Sequence, residues 1–409
     1  MKNLALTVSA LLLAACNPQI TDDSSQRISV NNDESALLER VAYEDTLVSI
    51  DPLPASKPNF AASSDITLTL VAEVQSPLLR GQALQATEVR VLGNKAYVSY
   101  NIQGSEFGGG VEIIDFSQPS RPKLISSAIF SDTDINGLSV EGNNLMLAAA
   151  SNISTYDSPA VFERITLKSG KLSDTSEQLD LPSFATTDVD VASNYIYITS
   201  GSEGGGLSIY DRRDLSFVSF TAIDDARSVD ADPNHVAIMA GTPARVYSFD
   251  AQDGTALAEF PLTGATIPFS KSTIEVKNSK AVVAAGDGGT QVVCLTDGSV
   301  LASISQPLVN GLDSSVTVTN SATAYQNLIF MGNGEAGVYM AIADSNFNSN
   351  QCTVDNLRVA GKLGFDALQS VNHVTHRANL LFIAAGTGGL KIVRVDNATA
   401  APDDDDTLP

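Results

Sequence analysis

Between residues 66 and 396, apolar and polar side chains alternate over short stretches, each closed by Gly, Asn, Asp or Ser. Alternation with period two sends successive side chains to opposite faces of an extended chain, so each stretch predicts a strand. The strands come in sets. From Thr87 to Phe130, TEVRVLGNKAYVSY gives two strands about a polar turn and NIQGSEFGGG a glycine-rich connection. VEIIDFSQPSRPKLISSAIF then gives a third, more apolar strand and a fourth. The layout returns in TTDVDVASNYIYITSGSEGGGLSIYD from Thr186, in STIEVKNSKAVVAAGDGGTQVVCL from Ser272 and in NHVTHRANLLFIAAGTGGLKIVRVD from Asn372. It is weaker in LSVEGNNLMLAAA and in RSVDADPNHVAIMAGTPARVYSFD.

The turn glycines Gly110, Gly206, Gly289, Gly337 and Gly389 mark a repeat of roughly 40 to 50 residues, once two atypical copies are allowed for. Seven copies follow: 87–130, 131–185, 186–223, 224–271, 272–313, 314–369 and 370–396, with eight as the alternative count. A small sheet has two faces to bury, and neighbours arranged around an axis cover both. The expected fold is therefore all-β, a seven-bladed β-propeller of four-stranded antiparallel blades. The last copy ends after its third strand at Val395-Asp396, whereas Ile66 to Val74 in DITLTLVAEV alternates without a partner. Pairing this N-terminal strand with the last blade would satisfy open backbone groups and close the ring.

The segment GGGVEIIDFSQPSRPKLI, Gly108 to Ile125, resembles the LVIVD repeat of bacterial β-propeller proteins in its glycine turn, its apolar strand ending in Asp and its Pro-x-x-Pro entry to the outer strand. GGGLSIYDRRDLSFVSF and GGLKIVRVD keep part of that pattern. The resemblance implies a propeller with exported or surface functions, and it brings no shared catalytic set.

The chain opens MKNLALTVSALLLAAC, one lysine and then an apolar run from Leu4 to Ala15 that is too short for a permanent membrane helix. Leu13-Ala14-Ala15-Cys16 resembles a bacterial lipobox, which implies removal of residues 1–15 and diacylglyceryl modification of Cys16. Asn17 after the cysteine implies sorting to the outer membrane of a Gram-negative cell, with the periplasmic or surface-facing side left open. The expected organisation is a signal peptide over 1–15, a lipidated N-terminus and tether over 16–64, the propeller over 65–396 and an acidic tail over 397–409. ALLERVAYEDTLVSI, inside the tether, is compatible with a short helix or strand. Once the leader is removed, the lipid bilayer is reached through Cys16 and no transmembrane helix is expected.

Charge and composition narrow the chemistry. With 47 acidic against 24 basic side chains the chain repels a nucleic-acid backbone, and no basic patch offsets this. Tryptophan is absent, so docking motifs of quinoprotein dehydrogenases and sialidase Asp boxes have no counterpart. Polar residues at the starts of inner strands, Glu88, Asp134, Asp188, Asp225, Arg227, Asn372 and His373, should converge on one mouth of the axial channel. Solvated rim residues are the default reading; three carboxylates at one opening would also suit a divalent cation. His373 and His376 lie three apart, on opposite faces of a strand, and make a poor zinc pair. Cys294 and Cys352 remain after Cys16, either as an inter-blade disulfide or as two separate thiols.

These features favour a non-catalytic, lipid-anchored envelope protein without a cofactor, a scaffold for another envelope protein, with first contacts sought around residues 151–180 and 346–356. The alternatives are a metal-dependent envelope hydrolase using the axial carboxylates, and a carbohydrate-binding propeller using the 10 Tyr and 15 Phe as platforms.

Overall fold

In the computed structural model the described residues are 27–53, 65–152, 159–201, 204–268, 270–365 and 370–397. The signal segment, Cys16 and the acidic tail lie outside them. Seven antiparallel sheets ring a common axis, each running outward from an innermost strand. In blade 1 the strands are Gln85–Leu92, Lys95–Asn101, Gly109–Asp115 and Lys123–Phe130, joined in register Val89↔Val98 and Tyr97↔Ile113. Blades 2 to 7 begin on Thr133–Glu141, Ala185–Ala192, Ala226–Ala231, Ile274–Lys277, Ser321–Tyr325 and His373–Arg377. The period-two pattern sends alternate side chains to the two blade faces, and the core is a set of inter-blade layers. Val89 and Val98 of blade 1 meet Phe382 and Ile392 of blade 7, whose other face packs Ile383 and Val393 on Phe330 and Met340 of blade 6.

Blade 7 is completed by Ile66–Val74, antiparallel to Leu390–Asn397 with Ile66 opposite Asn397 and Val74 opposite Leu390. Gly389, at φ +75°, makes the tight turn before this pairing, and a Cβ there would strike the Val74 carbonyl.

The tether expected through 16–64 is corrected over residues 27–51, which wrap the outside of the ring. Ile28–Asn31 adds a fifth strand to blade 1. The helix Glu34–Leu38, capped by the Asp33 carboxylate, drops Leu37 into the layer between blades 1 and 7. Val41–Asp51 then pairs with Ile66–Val74 and, at its end, with Arg358–Gly364 of blade 6. Two arginines fix this clasp. Arg27 pairs with Glu163 and Arg40 with Glu112, each glutamate carboxylate being fully buried on the third strand of its blade. The polar composition concealed the segment because its apolar contacts are few and widely spaced.

The insertions singled out for partner contacts also belong largely to the framework. Ala160–Thr166 and Ser176–Asp180 are the outer strands of blade 2, while 153–158 lie outside the described residues. The 346–356 connection is held against blade 5, where Asn278 donates to the Asn348 carbonyl at 2.9 Å and Lys280 to that of Gln351 at 2.8 Å. A Cys294–Cys352 disulfide with a Cα–Cα distance of 5.4 Å joins this connection to the third strand of blade 5.

Candidate functional site: the axial mouth

An innermost strand pairs along one edge only, and its other edge turns unpaired N–H and C=O groups toward the axis. The innermost strands of blades 1 to 4 each carry a β-bulge near their start, at Thr87, Asn136, Thr187 and Arg227. A bulge re-aims the extra side chain, and here each one reaches the next blade. Thr87 donates to the Ile135 carbonyl (2.8 Å), Asn136 to Thr186 (2.9 Å), Thr187 to Ala226 (2.9 Å) and Arg227 to Ser270 (3.3 Å). Asn320 donates to Val371 (3.0 Å), and Asn372 closes the circle on Ala86 (2.8 Å). Each acceptor immediately precedes the equivalent position of its own blade. Between blades 5 and 6 the donors are backbone groups of blade 5, Thr273 N–H donating to the Asn320 carbonyl at 3.0 Å and Lys271 N–H to Asn320 Oδ1 at 3.2 Å. The Lys271 side chain is thereby released across the mouth, where its Nζ donates to the Thr87 carbonyl (2.9 Å), Glu88 (2.8 Å) and the Asn136 carbonyl (2.9 Å).

A second tier lies along the axis. Asp188 accepts from Ser228 Oγ (2.7 Å) and Val229 N–H (3.1 Å), and Asp190 from Ala231 N–H (2.8 Å). Asp230 accepts from Val276 N–H and Glu275 from Ala324 N–H, both at 2.7 Å. One guanidinium holds the tier together: Arg90 lies 2.7 Å from Glu88, 2.7 Å from Asp230 and 3.7 Å from Asp188. Gly137 leaves room for the carboxylates, since a Cβ there would stand 2.9 Å from Asp188 Oδ1 and 3.1 Å from Glu88 Oε2.

Electrostatics separate these carboxylates. Burial raises Glu88, but Lys271 and Arg90 outweigh it and hold the carboxyl at about 2. Asp188 is pushed up to about 7 by burial and then by the Glu88 charge, and Asp190 rises through burial and Asp230. His373 is driven down to about 3 by burial, and its Nδ1 finds no hydrogen-bond partner among the described residues.

The sequence-selected residues thus divide. Asp225, Arg227 and Asn372 line a cavity of about 680 Å³ at the mouth. Glu88, Asp188 and His373 are buried on the axis beneath it. Asp134 instead caps a turn of blade 1 by accepting from Gly108 N–H (3.1 Å) and Ile102 N–H (3.4 Å), and burial raises it to about 6. His376 turns to Thr323 Oγ1, 2.8 Å from its Nδ1, apart from His373. Among the described residues no group of three or more His, Cys, Asp or Glu is placed to hold a metal ion. The space between the axial carboxylates belongs to Arg90 and Lys271. Strand-start reasoning missed Thr87, Asn136, Thr187, Arg90, Asp190 and Asp230. The period-two pairs Glu88/Arg90 and Asp188/Asp190 were their visible signal.

The comparisons with known proteins bear on the fold. Residues 85–128, nearly all of blade 1, match the LVIVD repeat. The fold is a seven-bladed β-propeller. This LVIVD-bearing propeller is similar to the crystal structure of the RRP9 WD40 repeats, with a TM-score of 0.57 and 14% identity over 85% of this chain and 99% of that one. It is also similar to the structure of U3-55K, with a TM-score of 0.56 and 14% identity over 81% of this chain and 99% of that one. At that identity the likeness is one of fold. The chain matches no curated protein sequence. Among the described residues, no helix is long and apolar enough to cross a membrane.

Proposed function

We propose that this propeller is a non-catalytic scaffold of the bacterial envelope, held to the outer membrane by lipid on Cys16 and docking a partner protein on the outer edges of blades 3 to 5. The observation that carries this reading is the uneven covering of the rim. The N-terminal clasp lies on the outer strands of blades 1, 6 and 7 and leaves those of blades 2 to 5 without an added strand; blade 2 is reached by the clasp through Arg27, which donates to Glu163 and Ser176, whereas blades 3, 4 and 5 expose large apolar side chains. Their outermost strands, Phe217–Ala222, Ala256–Pro261 and Val300–Ile304, carry Phe217, Phe220, Leu257 and Val300 in exposed positions, and Leu308 beyond them is 86% exposed. A run of unpaired strand edges bearing large apolar side chains is an aggregation hazard unless a partner covers it. It suits strand addition or apolar docking. The metal-dependent hydrolase gains no support, because the axial carboxylates are engaged by Arg90, Lys271 or backbone N–H groups.

The test is affinity capture of the lipidated protein from its native envelope beside the Phe217→Asp/Phe220→Asp variant. Phe217 packs edge-to-face on Tyr210, so an unchanged melting temperature of the variant is the control, and a partner recovered with the parent should then be lost with the variant. Equal recovery would overturn the docking surface. Cys16→Ser should move the protein from the membrane to the soluble fraction.

A further inference from the structure

We infer that the axial mouth is a binding site for a neutral, hydroxyl-rich ligand, a sugar residue of a glycan, independent of the docking proposed on the rim. The cavity of about 680 Å³ falls within the usual size of small-ligand sites, about 300 to 1,000 Å³. Its charges are already spent. Lys271 makes its three bonds to blades 1 and 2, and Arg227 is clamped on Asp225 at 3.0 and 2.6 Å while also reaching the Ser270 hydroxyl at 2.8 Å. An anion would find no free cation, and would approach a chain of net charge -23. A cation would meet Lys271 and a carboxylate already neutralised.

The unspent groups are side-chain amides. A carbonyl can only accept, so Asn136 and Asn372 must donate through Nδ2 to Thr186 and Ala86. Each then leaves its Oδ1 as an acceptor in the cavity wall. Gln85 and Asn101 line the same wall, and their side chains make no hydrogen bond among the described residues. Asp225, whose side chain is 28% exposed, already accepts from Arg227 and from Thr242 Oγ1 (3.0 Å) and adds one remaining acceptor site. A ligand matching this set brings several donors that can also accept, which is the chemistry of adjacent hydroxyls. Phe184, 63% exposed at the rim, offers a flat apolar face for the C–H side of a sugar ring. A peptide fits less well, since its backbone offers one N–H donor per residue against the clustered acceptors.

The test is titration of the full chain in detergent with glucose, galactose, mannose, N-acetylglucosamine and their disaccharides, read by saturation-transfer NMR and calorimetry. Glucose 6-phosphate and glucosamine serve as anionic and cationic controls. At least one neutral sugar should bind saturably, with affinity reduced at least tenfold by Phe184→Ala and by Asn101→Ala. Both side chains can be truncated without removing an internal hydrogen bond, and unchanged melting temperatures would confirm intact variants. Phe217→Asp/Phe220→Asp should leave sugar affinity unchanged, which separates this site from the rim. No binding by any neutral sugar, tighter binding of a charged control, or affinity indifferent to both mouth substitutions would overturn the assignment.

Discussion

At the scale of single residues, the axis shows how one environment pulls neighbouring carboxylates apart. Glu88 keeps its charge because Lys271 and Arg90 both touch it, while Asp188, bound mainly by a hydroxyl and a backbone N–H, retains a proton up to about pH 7. A carboxyl raised on folding binds its proton more tightly in the native state. Its contribution therefore favours the fold at low pH and is lost as pH rises from the unfolded value near 4 to the folded value near 7. Asp188→Asn removes that dependence. Between pH 4 and 7 the stability of this variant should gain on the parent by up to about 1.4 kcal/mol per pH unit, measured by urea denaturation across the range. Parallel curves for the two proteins would show that Asp188 is ionised throughout.

Among the elements, the N-terminal clasp departs most from its sequence appearance. Its strands add backbone pairs to blades 1, 6 and 7, but its arginines matter more energetically, because Glu112 and Glu163 would otherwise be charges buried in blade faces. Arg40→Ala leaves Glu112 with the Tyr100 hydroxyl at 2.9 Å, and should cost about 3 to 5 kcal/mol, the usual penalty for breaking a buried pair. Adding Glu112→Gln should recover most of that loss in thermal denaturation. A failure to recover would assign the effect to packing of the arginine stem. The bulges belong to this scale as well. A plain strand start would send Thr87, Asn136 and Thr187 back onto a blade face, and only the extra residue turns them to the next blade.

For the whole molecule, closure is achieved several times over: by Ile66–Val74 completing blade 7, by the clasp over three blades, by the ring of bulge side chains and by the Cys294–Cys352 link between blades 5 and 6. The disulfide spans 58 residues, so Cys294→Ser/Cys352→Ser should cost about 2 to 5 kcal/mol in calorimetry. Reductant should lower the melting temperature of the parent and leave that of the double variant unchanged. The rim is asymmetric in consequence, with the outer strands of blades 1, 6 and 7 covered by the chain's own N-terminus and those of blades 2 to 5 without an added strand, and the proposed docking rests on this asymmetry.

Strand existence, the blade count and the closing strand were legible in the sequence, because hydrophobic alternation and turn glycines are local signals repeated in every blade. DITLTLVAEV and GGLKIVRVD even announced their pairing, one by lacking a partner and the other by ending short. The chemistry at the axis was not legible in the same way. Glu88, Arg90, Asp188 and Asp230 come from three blades, and whether such carboxylates meet a metal, water or one another depends on distances that no local pattern encodes. Tertiary structure alone placed Arg90 among them, swung Lys271 across the mouth and spent Arg27 and Arg40 on buried glutamates. Alternation dictates which face a side chain takes, while its electrostatic partner is chosen only when the ring closes.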